Sequence, residues 1–530
     1  MVPTSSALAG RAVPGVTDRK LLRAVQAARA LGAVLEGGLI ALTAFSALAF
    51  GAVHPWAYVP LWLSCGAVGA LFAVRAKLIL FLRRRLGPCR VAVDHDRHAL
   101  LLDPGRAISG ALDLDTPPLR AAPLFLPGLV FAVLVIVQLL PRWRSGTPLT
   151  TDGEDTLRGL AFVASLGLLH VAAAALFVRR ASRDRYRGAL VILGTLLALI
   201  ALVQSAAGTR RIYGFFTPED GDSGIFGPFV NRNSFAGYML MVVPICLQRL
   251  VRAVRSTAGA EVGLRRRLSA LSVAKPSPVL ATVPVLVTVA SLVATRSRGA
   301  LVALVVAFLL GGLVGAGWRR RWSWAVPLPF LLAALAWAGP ERLHARLART
   351  AADSPGRVAI WADALRRLDG RWLMGTGFNT FAASMSRVPA WSLPRGASAW
   401  PPELDTRPEA RPGFRALAEL PWLTWYREAH NDYLQLFVET GVAGLAIGLW
   451  AGLRVLRRLR SRRWLFMAAA GLLGHVFVDF DMQIPAVALL FVALCAMAPR
   501  EASAAGGRLA RWTVAISRRL ARPPLPGGSG

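Results

Sequence analysis

Cysteine is scarce in this chain. The four in 530 residues are too few and too scattered for a disulfide framework, and they are not spaced as thiolate zinc ligands. Cys65, Cys246 and Cys495 sit in apolar runs and Cys89 in a basic loop. Lysine is nearly missing too, found only at Lys20, Lys77 and Lys275, so the 62 Lys+Arg are almost all arginine. They face 29 Asp+Glu, a formal net charge of +33. Charge is nonetheless sparse overall, at 17% of residues against 55% hydrophobic, and the mean hydropathy is +0.49. That balance excludes an ordinary soluble globular protein. It also excludes a nucleic-acid partner, because a binder of polyanions does not place half its residues in long apolar runs.

What is present is a succession of apolar stretches of membrane-spanning length, which takes about 17–25 residues. They lie near 33–53, 57–74, 121–140, 157–178, 188–207, 234–250, 278–295, 300–317, 321–338, 431–452, 463–480 and 484–499. The reading is an all-α polytopic membrane protein of about twelve transmembrane helices. Residues preceding the first stretch include Arg11, Arg19, Lys20, Arg23 and Arg29, and no small-residue cleavage site closes it, so it is not read as a signal peptide. Basic clusters then fall on every second loop: Arg83 to Arg85, Arg179 to Arg187, Arg265 to Arg267, Arg319 to Arg321, Arg454 to Arg463, and the tail with Arg518 and Arg519. By the positive-inside rule those loops are cytoplasmic, and both termini with them.

The expected organisation is a cytoplasmic segment 1–32, spans one to nine over 33–338, a large periplasmic loop 339–430, spans ten to twelve over 431–500, and a basic cytoplasmic tail 501–530. The periplasmic loop begins as an amphipathic helix. Ser354-Pro355 suits its start, and Val358, Trp361, Leu365 and Leu368 are expected to form its apolar face opposite Asp363, Arg366, Arg367 and Asp369. From about 386 to 418, prolines and glycines predict irregular backbone.

Polar groups kept at a membrane face default to functional candidates. Asn231, Arg232 and Asn233 stand just before the sixth span, where a helix cap with a snorkelling arginine is the plainer alternative. Arg296 and Arg298 occupy a short outer turn, against the positive-inside bias, and a guanidinium fork suits phosphate oxygens. Arg357 opens the surface helix. His430 lies where the chain re-enters the membrane, followed by Asn431, Asp432, Tyr433 and Glu439, and its imidazole could take a proton from an attacking hydroxyl. His475, Asp479, Asp481 and Gln483 form a last cluster, either lining the same cavity or capping a short hairpin.

In the order of these landmarks the sequence resembles the O-antigen ligase and O-antigen polymerase superfamily of bacterial inner-membrane glycosyltransferases. The residues are Phe229 to Tyr238, Ser297 to Ala300, Gly356 to Trp361 with Gly375 to Gly377, and Ala429 to Gln435, together spanning about 225–445. The resemblance implies a GT-C-like membrane enzyme that moves a glycan from an undecaprenyl-diphosphate carrier to an acceptor hydroxyl on the periplasmic face. It implies inversion and no metal or other cofactor. The acceptor would be lipid A-core, a growing polysaccharide or a protein. On that reading Arg298, Arg357 and Arg232 bind the donor diphosphate, with Arg298 also catalytic, and His430 is the base. Asn231, Asn233, Asn431, Tyr433 and Glu439 bind substrate or support the site.

Two other classes compete: a secondary transporter of a small anion, and a non-catalytic membrane protein of an envelope complex. A transporter places its site near the bilayer midplane on broken or charged spans. Here polar residues gather at one face instead.

Overall fold

The computed structural model describes residues 18–94, 99–102, 111–115, 122–141, 148–209, 211–217, 224–258, 277–314, 360–368, 370–385 and 427–499. Arg357, the predicted stretch 321–338, the Ser354-Pro355 start with Val358 and Asp369 of the surface helix, and the expected irregular backbone of 386–418 lie outside them. Every other predicted stretch holds a helix. In chain order these are α1 (Arg19–Leu48), α2 (Pro55–Leu86), α3 (Phe125–Leu139), α4 (Gly153–Leu176), α5 (Arg180–Ala206), α6 (Arg232–Ala258), α7 (Pro278–Ala294), α8 (Arg298–Val314), a short α9 (Phe381–Met385), α10 (Asp432–Leu459), α11 (Arg463–His475) and α12 (Pro485–Cys495). Six of them, α1, α2, α4, α5, α6 and α10, are long and apolar enough to cross a membrane, and α3, α7, α8 and α12 are shorter apolar helices. The chain is a mostly helical, multi-pass membrane protein.

The bundle has a centre. In α6, 89% of the apolar stretch is buried within the protein, against 28–44% in the other five long helices. All of α12 is buried as well. Around these, α11 packs on α8 and α6, α7 on α6 and α5, α2 on α1 and α4, and α10 on α3. Outward-facing Leu63, Ile192, Val203, Val279 and Leu313 mark the surface offered to lipid.

The all-α expectation needs one correction. At the end of the bundle where α1 begins and α2 ends, three short strands between Arg90 and Asp113 form an antiparallel sheet in the order β2-β1-β3. Strand β1 (Arg90–Asp94) pairs with β2 (Ala99–Leu102) and β3 (Leu112–Asp113), with Val91 opposite both Leu102 and Leu112. Helices of 30 and 32 residues reach about 45–48 Å, well past a hydrocarbon core of about 30 Å. Their overhanging turns bury Leu21, Val25, Ala28, Ile79 and Leu82 against Val91, Leu100 and Leu112 of the sheet and Leu114 just beyond it.

The segment 360–366 is helical, as the spacing predicts, but its faces are turned relative to that prediction. Asp363 is fully buried with Ala364 and Leu368, whereas Leu365 is exposed. Burial here follows docking onto α9 and α10 through Phe381, Met385 and Val438, not the apolar stripe alone.

Candidate functional site

At the opposite end of the bundle from the sheet, α6, α8, α10 and α12 all begin. The chain folds into α6 through a tight turn in which Phe226 and Phe229 exchange backbone hydrogen bonds of 3.1 and 3.2 Å. Gly227 there has φ +58°, and a Cβ on it would stand 2.9 Å from Ala201. Asn231 Oδ1 accepts the Asn233 N–H at 2.8 Å, so this amide closes the start of α6. Asn233 is half-buried, and Arg232 is exposed with its stem beside Gly224.

The turn between α7 and α8 is held by its own hydroxyls. Thr295 donates to the Leu292 carbonyl at 2.6 Å and accepts the Ser297 N–H at 3.2 Å. Arg296 takes a left-handed φ of +58° and is exposed. Arg298, half-exposed, is the first residue of α8. Free N–H groups and the positive dipole end of each helix favour an anion at such termini, and α6 and α8 each open with an arginine.

His430 also lies in the left-handed region, at φ +51°. Its ring packs edge-on to Phe480 with centroids 5.1 Å apart, and its side chain is 34% exposed. Nδ1 stands 4.0 Å from Oδ1 of Asp479, which is 2% exposed. That separation exceeds a hydrogen bond, so the two groups are neighbours at ion-pair distance. Asn431 caps α10 by accepting the Leu434 N–H at 3.1 Å. Asp432 latches the same turn to 476–483: its N–H donates to the Val476 carbonyl at 2.9 Å, and its carboxylate accepts from the Met482 N–H at 2.8 Å and Gln483 Nε2 at 3.3 Å. Tyr433 donates to the Leu473 carbonyl at 2.7 Å. Just upstream, Glu428 keeps one carboxylate oxygen, Oε2, sealed from solvent without a hydrogen bond among the described residues. Burial pushes this carboxyl up to about 8.

Segment 475–483 links these parts. His475 Nδ1 meets Asp481 Oδ2 at 2.6 Å, and both side chains are buried. His475 Nε2 faces Ser297 Oγ at 3.4 Å, beside Arg298. The Arg298 turn and the His430 turn are therefore brought together on this segment, and α6 lies against it at Gly237, beside Asp481. Asp479 and Asp481 have the spacing of a D-x-D pair, which corrects the expectation that the outer face carries no such pattern. Their carboxylates diverge, one toward His430 and one to His475. Among the described residues no group of three or more His, Cys, Asp or Glu is arranged to hold a metal ion.

Glu439 faces away from that cluster. Its carboxylate accepts the N–H groups of Asn379 at 2.9 Å and Phe381 at 3.1 Å, together with Gln435 Nε2 at 3.3 Å. It therefore holds the 375–381 loop and the first turn of α9. Alongside, α10 is broken at Gly441, with φ +64° and ψ −165°. The neighbouring loop meets groups freed by the break: the Val442 N–H donates to the Trp372 carbonyl at 2.8 Å, while the carbonyls of Val438 and Glu439 accept from the Thr376 and Gly377 N–H groups at 2.9 Å each. Gln138 of α3 completes the joint by donating to the carbonyls of Met374 and Glu439 at 2.6 and 2.9 Å and accepting the Phe378 N–H at 2.9 Å. Sequence reasoning passed over Gln138; its signal is a lone amide inside an apolar run. Trp361 Nε1 donates to the Ala429 carbonyl at 2.8 Å and ties the surface helix to the His430 turn.

A family model described as O-Antigen ligase matches residues 283–449. The matched region takes in the Arg298 turn, the 375–381 loop, His430 and Glu439, and leaves out the start of α6 and the 475–483 segment. No curated protein matches the chain. The family match supports the resemblance to the O-antigen ligase superfamily, and with it a glycan-transferring membrane enzyme in general.

Proposed function

We propose that this O-antigen-ligase-like chain is an inverting glycosyltransferase working at the periplasmic face of a bacterial inner membrane. It moves a glycan from an undecaprenyl-diphosphate carrier to an acceptor hydroxyl without a metal or other cofactor. The acceptor is lipid A-core, a growing polysaccharide or a protein. The observation that carries this reading is the convergence of the Arg298 turn and the His430–Asp479 neighbours on one short segment, 475–483, at the end of the bundle where α6 and α8 begin with arginines.

In this reading the end with the sheet and the clustered arginines is cytoplasmic. The donor's lipid tail lies among the helices, and its diphosphate meets Arg298, Arg232 and Arg357. Breaking the bond between the sugar's anomeric carbon and the phosphate oxygen sends the electron pair to the diphosphate. Guanidinium groups already in place stabilise that growing charge more in the transition state than in the ground state. The acceptor oxygen attacks the anomeric carbon from the opposite face, and its proton passes to His430. The nearby Asp479 carboxylate stabilises the imidazolium that results. Asn231 and Asn431 support the site as helix caps, Tyr433 by fixing α10 to α11, and Glu439 by holding the 375–381 loop. Asn233 is left as a polar group near the substrate.

The test is transfer by the purified full chain in lipid nanodiscs, with lipid-linked oligosaccharide as donor and lipid A-core or oligosaccharide as acceptor. Arg298→Ala and His430→Ala are expected to insert normally and lose transfer. Undiminished transfer in both would overturn the site. Product lacking inversion at the anomeric carbon would overturn the single-displacement mechanism.

A further inference from the structure

Asp481 is fully buried on the short helical turn Asp481–Gln483, and its Oδ1 has no hydrogen-bond partner among the described residues. Its Oδ2 meets His475 Nδ1 at 2.6 Å, so Nδ1–H donates to this carboxylate and Nε2 is turned to the other side. Nε2 faces Ser297 Oγ at 3.4 Å, and Oγ accepts the Ala300 N–H at the start of α8, so the hydroxyl proton is free to point at His475. The order Asp, His, Ser has the connectivity of a hydrolytic triad. Ser297 is only 5% exposed and is engaged as a helix cap, so it lacks the access of a nucleophile.

What the relay touches is more telling. Ser297 directly precedes Arg298, and the next residue, Gly299, lies so close to the other side of the relay that a Cβ would stand 2.6 Å from Val478 and 3.3 Å from His475 Cδ2. The same oxygen of Asp481 lies on α6 at Gly237, where a Cβ would stand 1.9 Å from Oδ2. Thus α6, which opens with Arg232, and α8, which opens with Arg298, each lie through a glycine against this one buried segment. Gripping two phosphates joined by a single oxygen requires cations at a set separation, whereas one phosphate can be held by either arginine alone.

We infer that the Asp481–His475 pair is a positioning device that sets the separation of the α6 and α8 starts, and so selects a lipid diphosphate over a lipid monophosphate. The inference rests on the anion site proposed above and adds two residues that touch neither substrate nor reacting atoms. Gly237 and Gly299 let both helices approach the pair so closely that no side chain fits between.

The experiment measures binding of farnesyl diphosphate and farnesyl monophosphate to the full chain in nanodiscs, for wild type, Asp481→Asn, His475→Gln, Ser297→Ala, the His475→Gln/Ser297→Ala double variant and Arg298→Ala. Wild type is expected to prefer the diphosphate by about tenfold or more. Asp481→Asn and His475→Gln are expected to lose most of that preference, with monophosphate affinity changing less than about twofold. Ser297→Ala, which disturbs packing least, follows in the same direction, and the double variant adds nothing to His475→Gln, as members of one relay do not act additively. An unchanged preference in folded Asp481→Asn and Ser297→Ala overturns the inference, and so does an equal loss of both ligands, which marks a merely structural role. If Arg298→Ala abolishes the preference while the relay variants keep it, only this inference fails. If wild type itself shows no preference, the diphosphate site fails with it.

Discussion

Glu439 Oε2 accepts the backbone N–H of Asn379 across 2.9 Å, joining the middle of a long apolar helix to a surface loop 60 residues earlier in the chain. With Oε1 on the Phe381 N–H, this buried carboxylate replaces the cap that α9 would otherwise need. Glu439→Ala strands the buried Phe381 N–H and the part-buried Asn379 N–H and removes the Gln435 contact. The expected loss is about 2–4 kcal/mol, read as a lowered unfolding temperature in detergent. Glu439→Gln keeps one acceptor and loses less. Equal melting of wild type and Glu439→Ala would show that the loop is held elsewhere.

Gly441 supplies a second anchor for the same loop. Its φ of +64° with ψ −165° is a conformation restricted to glycine, and a Cβ there would stand 2.3 Å from the Leu373 carbonyl carbon. Gly441→Ala combines strain with a backbone clash, at a cost of about 3 kcal/mol or more. The expected outcome is poor membrane accumulation, and full yield with normal melting would contradict it.

Glu428 makes stability depend on pH. Its folded-state value is about 8, against 4.5 for the free side chain, because burial disfavours the charged form. Between those values the unfolded chain releases this proton while the folded chain retains it. The favourable contribution is therefore lost as pH rises from 4.5 toward 8, and changes no further above that. Unfolding temperatures from pH 5 to 9 should decline more steeply for wild type than for Glu428→Gln, which carries no titrating group there. Parallel curves would remove Glu428 as the cause.

Arginine at 298 is expected to act through its fork as well as its charge. Arg298→Ala should reduce transfer by about 10²–10³-fold, the scale of a lost transition-state donor. Arg298→Lys should recover only part, since an ammonium cannot bind two oxygens in one plane. Full recovery by lysine would mean that a point charge suffices.

The proposed orientation can be read by thiol labelling. The native cysteines Cys65, Cys246 and Cys495 are buried. A cysteine replacing exposed Arg296 should react with a membrane-impermeant reagent in cells whose outer membrane alone is opened. One replacing exposed Arg84 should react only after lysis. The reverse pattern would invert the topology.

Much of the architecture was legible in the chain itself. Helices stand where apolar runs were long, since a backbone in lipid must satisfy its own hydrogen bonds and does so locally. Asn231 and Asn431 are caps, the plainer alternative weighed for the first and readable because a cap acts within three residues. The three-stranded sheet at 90–113 was missed because its alternation, Val91 and Val93 for example, is short and its core comes from overhanging helix turns. The turned face of 360–366 was missed for a related reason: Asp363 is buried by neighbours distant in sequence, which no periodicity reports.

The division between the two sources of information is therefore physical. Segment length, hydropathy and the side on which arginines cluster are properties of local composition, so the sequence by itself determined a polytopic helical membrane protein with polar residues gathered at one end. Which of those residues face one another was decided only in three dimensions. A buried polar group must find a partner wherever packing brings one. Gln138 finds Glu439, Asp432 finds Met482, and His475 finds both Asp481 and Ser297. Tertiary structure thereby made Glu439 a loop anchor and turned His475 and Asp481, which the sequence left between cavity lining and hairpin cap, into the buried link between the helices that carry Arg232 and Arg298.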